Sequence, residues 1–583
     1  FGFRGQMVTS KRTIFLYLLL IFLLRCLHVD GPPHGPSLTS SYVHGTSTIS
    51  MIPLTVSQCL DATVQRWPDR EAMVFLHDDT RKTFAQFQQD VDTAAAGLMA
   101  LGLKRGDRLG IWGPNVYEWI LFQFASAKAG IILVSLNPAY QVSEIEFTLQ
   151  KIQCNAILCT TSFKTQKFCE MLKEICPEID SVTTGMIKSA RLPHLRMVIV
   201  TDSRQTGMLH TEDVMQAAES RHHRELKELQ SKLSCDEAIN IQFTSGTTGQ
   251  PKGATLSHHN IVNNAYFLGL RIGYGWRVRV CLPVPMYHCF GSVLGGMCMA
   301  VHGVTLVYPS LGYNSTSNLQ AIQMEKCNFV YGTPTMFTDM LSQDINKYDL
   351  SSIEAGIMAG SPCPPEIVKR LQKEMNMKEI TIGYGTTENS PITFMGFPQD
   401  NEELKTDTVG CIMCHTEVQT VPVGASGELL IRGYCVMHGY WDDPDKTKEA
   451  ITQDRWYHTG DTASLTSQGY CRIEGRIKDM IIRGGENIYP AEIEQFLYKN
   501  PKVQEVQVVG VKDERLGEQV CACIRLKAGQ SSSTEEIRSF CKGQISHFKI
   551  PHYVMFVDSY PLTASGKIKK KELKAAMEKK LGL

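Results

Sequence analysis

Short apolar runs alternate with longer amphipathic stretches over residues 51–475, and residues 131–134 and 197–200 are two of those runs. Strands covered by helices on both faces read this way, so a parallel, doubly wound architecture is predicted. Ile239, Ile241 and Phe243 alternate with Asn240 and Gln242, the period of a strand. Ser257 then stands where the cap of a helix running through Ile261 and Val262 is expected. Glycine punctuation over residues 424–439, around Glu428, Leu429, Leu430 and Ile431, predicts a β-rich subdomain late in this region. Beyond Met480, strand-like stretches at 503–511 and 520–526 and a helical one near 535–541 suffice for a small α+β domain. Residues 31–50, rich in Pro, Gly, Ser and Thr, read as a linker.

Composition narrows the picture mainly by exclusion. With 583 residues the chain exceeds what one core organises, and 43% hydrophobic with 20% charged residues is a globular balance. Lys and Arg together number 59, as do Asp and Glu, so no overall field points to nucleic acid or an anionic membrane. The 19 cysteines lack framework spacing and read as free thiols of a reducing compartment.

The chemistry is local. Thr244, Ser245, Gly246, Thr247, Thr248, Gly249, Gln250, Pro251, Lys252 and Gly253 follow one another directly after the predicted strand. Such a loop offers backbone N–H groups and hydroxyls to phosphate oxygens. It is not a P-loop, because Lys252 lies between Pro251 and Gly253 rather than between Gly and Ser/Thr. The segment resembles the signature of the adenylate-forming superfamily, which includes acyl-CoA synthetases, luciferases and peptide-synthetase adenylation domains. Further segments match in order: Tyr384, Gly385, Thr386, Thr387, Glu388; Tyr457, His458, Thr459, Gly460, Asp461; Gly475, Arg476, Ile477, Lys478, Asp479; residues 484–490; and residues 561–567. The wording of residues 239–249 and 478–492 is similar to a mitochondrial branch of the acyl-CoA synthetases that acts on medium-chain fatty acids.

The resemblance implies an α/β fold: a large N-terminal domain of doubly wound sheets with a β-rich subdomain, over residues 51–475, and a small mobile α+β C-terminal domain over 480–583. Residues 476–479 are then the hinge, with Lys478 as its pivot, and residues 1–50 a targeting segment and linker. The implied substrates are a fatty acid, ATP and coenzyme A, with Mg²⁺ as cofactor. By the same resemblance Thr244 to Lys252, Gly360, Tyr384, Gly385, Asp461, Arg476 and Lys567 bind ATP. Lys567, Glu388 and Thr387 are the catalytic positions, Glu388 holds Mg²⁺, Gly484 and Gly485 line the coenzyme A channel, and His288 borders the acyl pocket. The residue types suit these tasks. Asp461 can accept two ribose hydroxyls, and Arg476 offers planar donors. Lys567 can meet charge where carboxylate and α-phosphate join. Lys567 stands near Lys569, Lys570 and Lys571, a run that alone reads as a solvated face; only its place in Ser565-Gly566-Lys567 sets it apart.

Met286, Tyr287, His288, Cys289, Phe290 and Gly291 carry no carboxylate to hold an amino group, so an apolar acid is favoured over an amino acid. Other readings stay open: an aryl-acid or carrier-protein-loading adenylating enzyme, or a non-catalytic nucleotide-binding member. Cys411, Cys414 and His415 spell a haem-attachment pattern, without a haem-binding helical domain around it.

Arg4, Lys11, Arg12 and Arg25 precede the first acid, Asp30, and flank an apolar run over residues 14–24. As a helix that run reaches about 16 Å against a hydrocarbon core of about 30 Å, so no stable membrane span is expected. A secretory signal and an altered first exon compete with a removable mitochondrial presequence, which the resemblance favours, with the matrix as destination. Residues 1–50 fused to a fluorescent reporter are expected to carry it into mitochondria; secretion or a diffuse cytosolic signal would contradict that.

Overall fold

A computed structural model describes residues 42–583 apart from 182–185, 245–250, 421–422 and 564–566. Two large sheets carry the N-terminal part. In the eight-stranded sheet, Ala238–Thr244, Ile132–Leu136, Arg108–Trp112, Ala156–Cys159, Met197–Val200 and Leu209–His210 run parallel in that order. In the nine-stranded sheet, the parallel block runs from Glu379–Gly385 through Ala355–Ala359, Phe329–Gly332, Arg279–Cys281 and Thr305–Tyr308 to Glu71–Phe75. Both sheets end in antiparallel strands, which apolar-run reading did not anticipate. Lys252–Ser257 and Gly439–Tyr440 close one side of the first sheet, and Ile392–Met395 and Cys411–Ile412 extend the second.

The two sheets share one core. Leu109, Ile111 and Leu133 of the first cluster with Met73, Phe75, Leu306 and Tyr331 of the second. Packed into the same core is the helix Tyr117–Lys128, in which every residue except Glu118 is buried. A helix apolar around its whole circumference must be covered on all sides, and Trp119, Phe122 and Phe124 make this one so. The strand Ala238–Thr244 shows the same double burial: Asn240 and Gln242 are as hidden as Ile239 and Ile241. Its alternation therefore divides two buried faces rather than core from water. A five-stranded antiparallel sheet, from Tyr42–His44 to Cys471–Arg476, forms the β-rich subdomain.

The last hundred or so residues pack on themselves. Apolar side chains from Ile481 to Met577 form two clusters around the long hairpin Val503–Asp513 and Gly517–Leu526. No described helix is long and apolar enough to cross a membrane.

The helix His258–Arg271 begins as expected. Ser257 accepts from the Asn260 N–H at 3.1 Å while Asn260 Oδ1 accepts from the Ser257 N–H at 2.7 Å. Two neutral imidazoles sit in the same region. His258 Nδ1 accepts from the Val56 N–H at 3.1 Å, and His302 Nε2 lies 3.2 and 3.1 Å from the carbonyl oxygens of Ala265 and Tyr266. Burial pushes both rings from the ordinary 6.5 down to about 4. Between those values the unfolded chain takes up protons that the folded chain refuses, so this contribution is whole above 6.5 and is lost as pH falls toward 4. Urea midpoints are expected to decline over that window, and to decline less steeply in His302→Gln. A wild-type midpoint constant across it would contradict the neutral buried rings.

Candidate active site

Lys567 joins the two packed bodies. Its backbone N–H donates to Thr563 Oγ1 at 2.9 Å and its carbonyl accepts from the Thr563 N–H at 2.7 Å, closing a small loop of the C-terminal part. The side chain leaves that loop and ends against Gly360, at the end of the strand Ala355–Ala359. A Cβ built on Gly360 would stand 3.7 Å from Lys567 Cε, an ordinary contact distance, so it is the φ of +92° that calls for glycine here. Burial lowers the Lys567 ammonium pKa, opposed by Cys289, Glu388 and Asp461, while Arg476 lowers it further. Groups far apart in sequence therefore converge on this cation. A second tie between the bodies runs from Gln504 Nε2 to Ser342 Oγ at 3.3 Å.

Asp461 and Arg476 face each other across the antiparallel pair Tyr457–Leu465 and Cys471–Arg476. Arg476 Nε lies 3.3 Å from Asp461 Oδ1, and the Tyr384 O–H donates to Asp461 Oδ2 at 2.6 Å. Burial raises the Asp461 pKa against the pull of Arg476 and Tyr384. Tyr384 and Gly385 end the strand Glu379–Gly385, and a Cβ on Gly385 would fall 1.8 Å from Pro391 O. No larger residue fits there. Thr387 and Glu388 follow in a short 3-10 turn. Thr387 Oγ1 is 3.8 Å from Cys289 Sγ, and Glu388 Oε1 accepts from the Tyr440 O–H at 2.9 Å. A carboxylate and a hydroxyl are the oxygen donors that Mg²⁺ prefers, so this turn fits a hard dication.

His288 caps the helical turn Cys289–Gly291, its Nδ1 accepting from the Phe290 N–H at 3.2 Å. Burial, and next the Lys567 charge, push its imidazole down to about 3, so the ring is neutral near pH 7. A buried chain fixes this turn: Gln242 Nε2 donates to Ser292 Oγ at 3.1 Å, and Ser292 Oγ donates to His288 O at 3.2 Å. A cleft of about 350 Å³ opens beside the Lys567 loop, lined in part by Pro285, Tyr287, Thr333, Met336, Asp339 and Leu562.

The loop from Ser245 through Gly246, Thr247, Thr248 and Gly249 to Gln250 lies outside the described residues. Its two ends are defined. Thr244 pairs with Lys252 in an antiparallel hairpin, and Thr244 Oγ1 donates to Lys252 O at 3.4 Å. The strand Lys252–Ser257 begins at Lys252 and Gly253, expected as part of the loop, and runs to the Ser257 cap over residues where no element was predicted. Ala254 and Leu256 alternate with Thr255 and Ser257, so the period of a strand is present, compressed into four residues between the loop and the cap. Pro251 is half-buried at the hairpin's returning arm. Lys252 Nζ lies 3.3 Å from Tyr440 Oη and 4.3 Å from its ring centroid; burial lowers its pKa while Glu388 acts to raise it.

Two groups of expected residues are less engaged. Lys478 sits in the exposed turn Ile477–Asp479, close enough for its charge to lower the Lys252 pKa. Gly484 and Gly485 form the exposed turn between Ile481–Arg483 and Glu486–Ile488. Tyr440 and Cys289, by contrast, contact the site residues without having been singled out as site residues from sequence. Nothing local marks Tyr440, whose partners lie 52 and 188 residues away.

A family profile described as AMP-binding enzyme matches residues 60–441, and one described as AMP-binding enzyme C-terminal domain matches residues 492–567. The medium-chain acyl-CoA ligase ACSF2, mitochondrial, of Danio rerio is 64% identical, covering 96% of this chain and 94% of its own. Its Homo sapiens counterpart is 54% identical over 95% and 92%, and the putative acyl-CoA synthetase YngI of Bacillus subtilis is 42% identical over 90% and 97%. Among solved structures, anthranilate CoA ligase AuaEII with anthranoyl-AMP superposes with a TM-score of 0.81 at 23% identity, over 92% of this chain and 99% of that one. ATP-bound MatB from Rhodopseudomonas palustris gives 0.78 at 22%, over 90% and 99%. At those identities the superpositions speak for the fold, and the profiles and sequence relatives speak for descent: this chain belongs to the AMP-binding enzyme family.

Proposed function

We propose that this protein is an ATP-dependent fatty acid:CoA ligase acting on medium-chain acids in mitochondria. Chain length and compartment are carried over from the names of the relatives that are 54–64% identical. The observation that supports the reaction is the seat of Lys567 against Gly360, among groups that include Cys289, Glu388, Asp461 and Arg476.

The first step is an attack of a carboxylate oxygen on the α-phosphorus of ATP. A P–O bond forms to the acid, the P–O bond to pyrophosphate breaks, and acyl-AMP remains. Bringing two unit negative charges to 4 Å costs about 4 kcal/mol at an effective dielectric of 20. Lys567 places a cation at that junction, and the loop of Thr244 to Lys252 supplies donors to the phosphates. Asp461 and Arg476 hold the ribose, while Tyr384, Gly385 and Gly360 shape the nucleotide seat. Mg²⁺, held by Glu388 beside Thr387, neutralises triphosphate charge when bound. His288 borders the acyl group as a neutral ring and so adds no charge to an apolar chain.

The second step needs the opposite arrangement. The sulfur of coenzyme A attacks the acyl carbon, the C–O bond to AMP breaks, and the thiol proton leaves to solvent. Lys567 must withdraw to admit the thiol. We assign residues 51–475 and 480–583 to two domains turning about residues 476–479, with Lys478 as pivot. The separate apolar clusters after Ile481 support this division. Gly484 and Gly485, exposed at a hairpin tip, are free to swing in and line the pantetheine channel, where the lack of a Cβ allows close approach.

Pyrophosphate release across a panel of straight-chain and aromatic acids, with and without coenzyme A, tests the reading. Medium-chain fatty acids are expected to give the highest turnover, and release from no acid at all would refute it. Lys567→Ala is expected to lose ATP–pyrophosphate exchange by a few hundredfold, about 3–4 kcal/mol. The same variant should still convert supplied acyl-adenylate and coenzyme A to thioester. Loss of both half-reactions in a folded variant would reject the division of labour.

A further inference from the structure

Tyr440 touches both charged groups that the proposed reaction aims at the triphosphate, and nothing in its local sequence announces it. It is buried, at 6% exposure, in the short strand Gly439–Tyr440, which pairs antiparallel with Lys252–Ser257 through Tyr440 and Ala254. Its hydroxyl donates to Glu388 Oε1 at 2.9 Å. The same oxygen lies 3.3 Å from Lys252 Nζ, and the ammonium stands 4.3 Å from the ring centroid. The Met437 N–H donates to Glu388 O at 2.8 Å, so the segment that carries Tyr440 also fixes the backbone of the carboxylate.

Such an arrangement has a definite electrostatic consequence. An ammonium and a carboxylate in a half-buried site attract each other strongly, and a direct pair would spend both charges on each other. Here the phenol stands between them. It satisfies one oxygen of Glu388 and leaves Oε2 as the oxygen for a cation, and it offers Lys252 a ring face and a lone pair instead of a counter-charge. Hydrogen bonds to a metal-binding carboxylate orient it, and losing one typically weakens metal binding about 10–100-fold.

We propose that Tyr440 is a positioning residue that orients Glu388 toward the divalent cation and Lys252 toward the triphosphate while keeping the two from neutralising each other. The proposal rests on the ligase reading and deepens it at the nucleotide end. Tyr440→Phe removes the hydroxyl and keeps the ring. Mn²⁺ binding, followed by electron paramagnetic resonance with a non-hydrolysable ATP analogue present, is expected to weaken about 10–100-fold in this variant. Thioester formation from supplied acyl-adenylate should stay within about twofold of wild type, because that step follows departure of pyrophosphate and its metal. In a double-mutant cycle, Glu388→Gln combined with Tyr440→Phe should bind Mn²⁺ no more weakly than Glu388→Gln alone, since one change acts through the other. Wild-type Mn²⁺ affinity in Tyr440→Phe, additive losses in the cycle, or an equal fall in both half-reactions would overturn the proposal and leave the ligase reading standing. A wild-type protein that neither binds Mn²⁺ with the analogue nor forms acyl-AMP would overturn both.

Discussion

Negative charge cannot be gathered at one point without a cation to meet it, and that constraint organises this molecule. The acid and the α-phosphate repel each other until a positive group stands at their junction. A cation fixed there would then obstruct the thiol. On the proposed reading, mounting Lys567 on a body with its own core and resting its side chain against another meets both demands. The ammonium stands beside Gly360, and Cys289, Glu388 and Asp461 offset part of the desolvation it suffers. Close packing elsewhere is what makes one lysine's reach dependable.

The nucleotide end follows the same logic at shorter range. Asp461 and Arg476 are registered by a strand pair, Glu388 sits on a turn whose entry only glycine can make, and the His288 turn is tied through Ser292 to the strand that feeds the phosphate loop. Each functional group is placed by backbone pairing or by a buried polar contact. Arg476, whose side chain is more than half exposed, is the one of these groups that also leans on an ion pair, with the buried Asp461.

What the residues disclosed in advance divides along the range of the forces involved. The Ser257 cap, the parallel strands Ile132–Leu136, Met197–Val200 and Ala238–Thr244 and the two long C-terminal strands depend on neighbours in sequence, and they are legible there. The motifs of the site are legible as words, since Asp461, Arg476, Glu388 and Lys567 do lie around one centre. The strand Lys252–Ser257 is harder to read: its alternation is confined to residues 254–257, wedged between the loop and the helix cap. Tyr440 was hidden for another reason: its meaning comes entirely from contacts made across the fold.

Asp461 is already engaged by Tyr384 and Arg476 in this arrangement. A carboxylate carries about four lone-pair sites, so these two contacts fix its orientation and leave others able to accept. On the proposed reading, a ribose would meet an acceptor whose direction is set before it arrives, and little of the binding energy would go into ordering the protein.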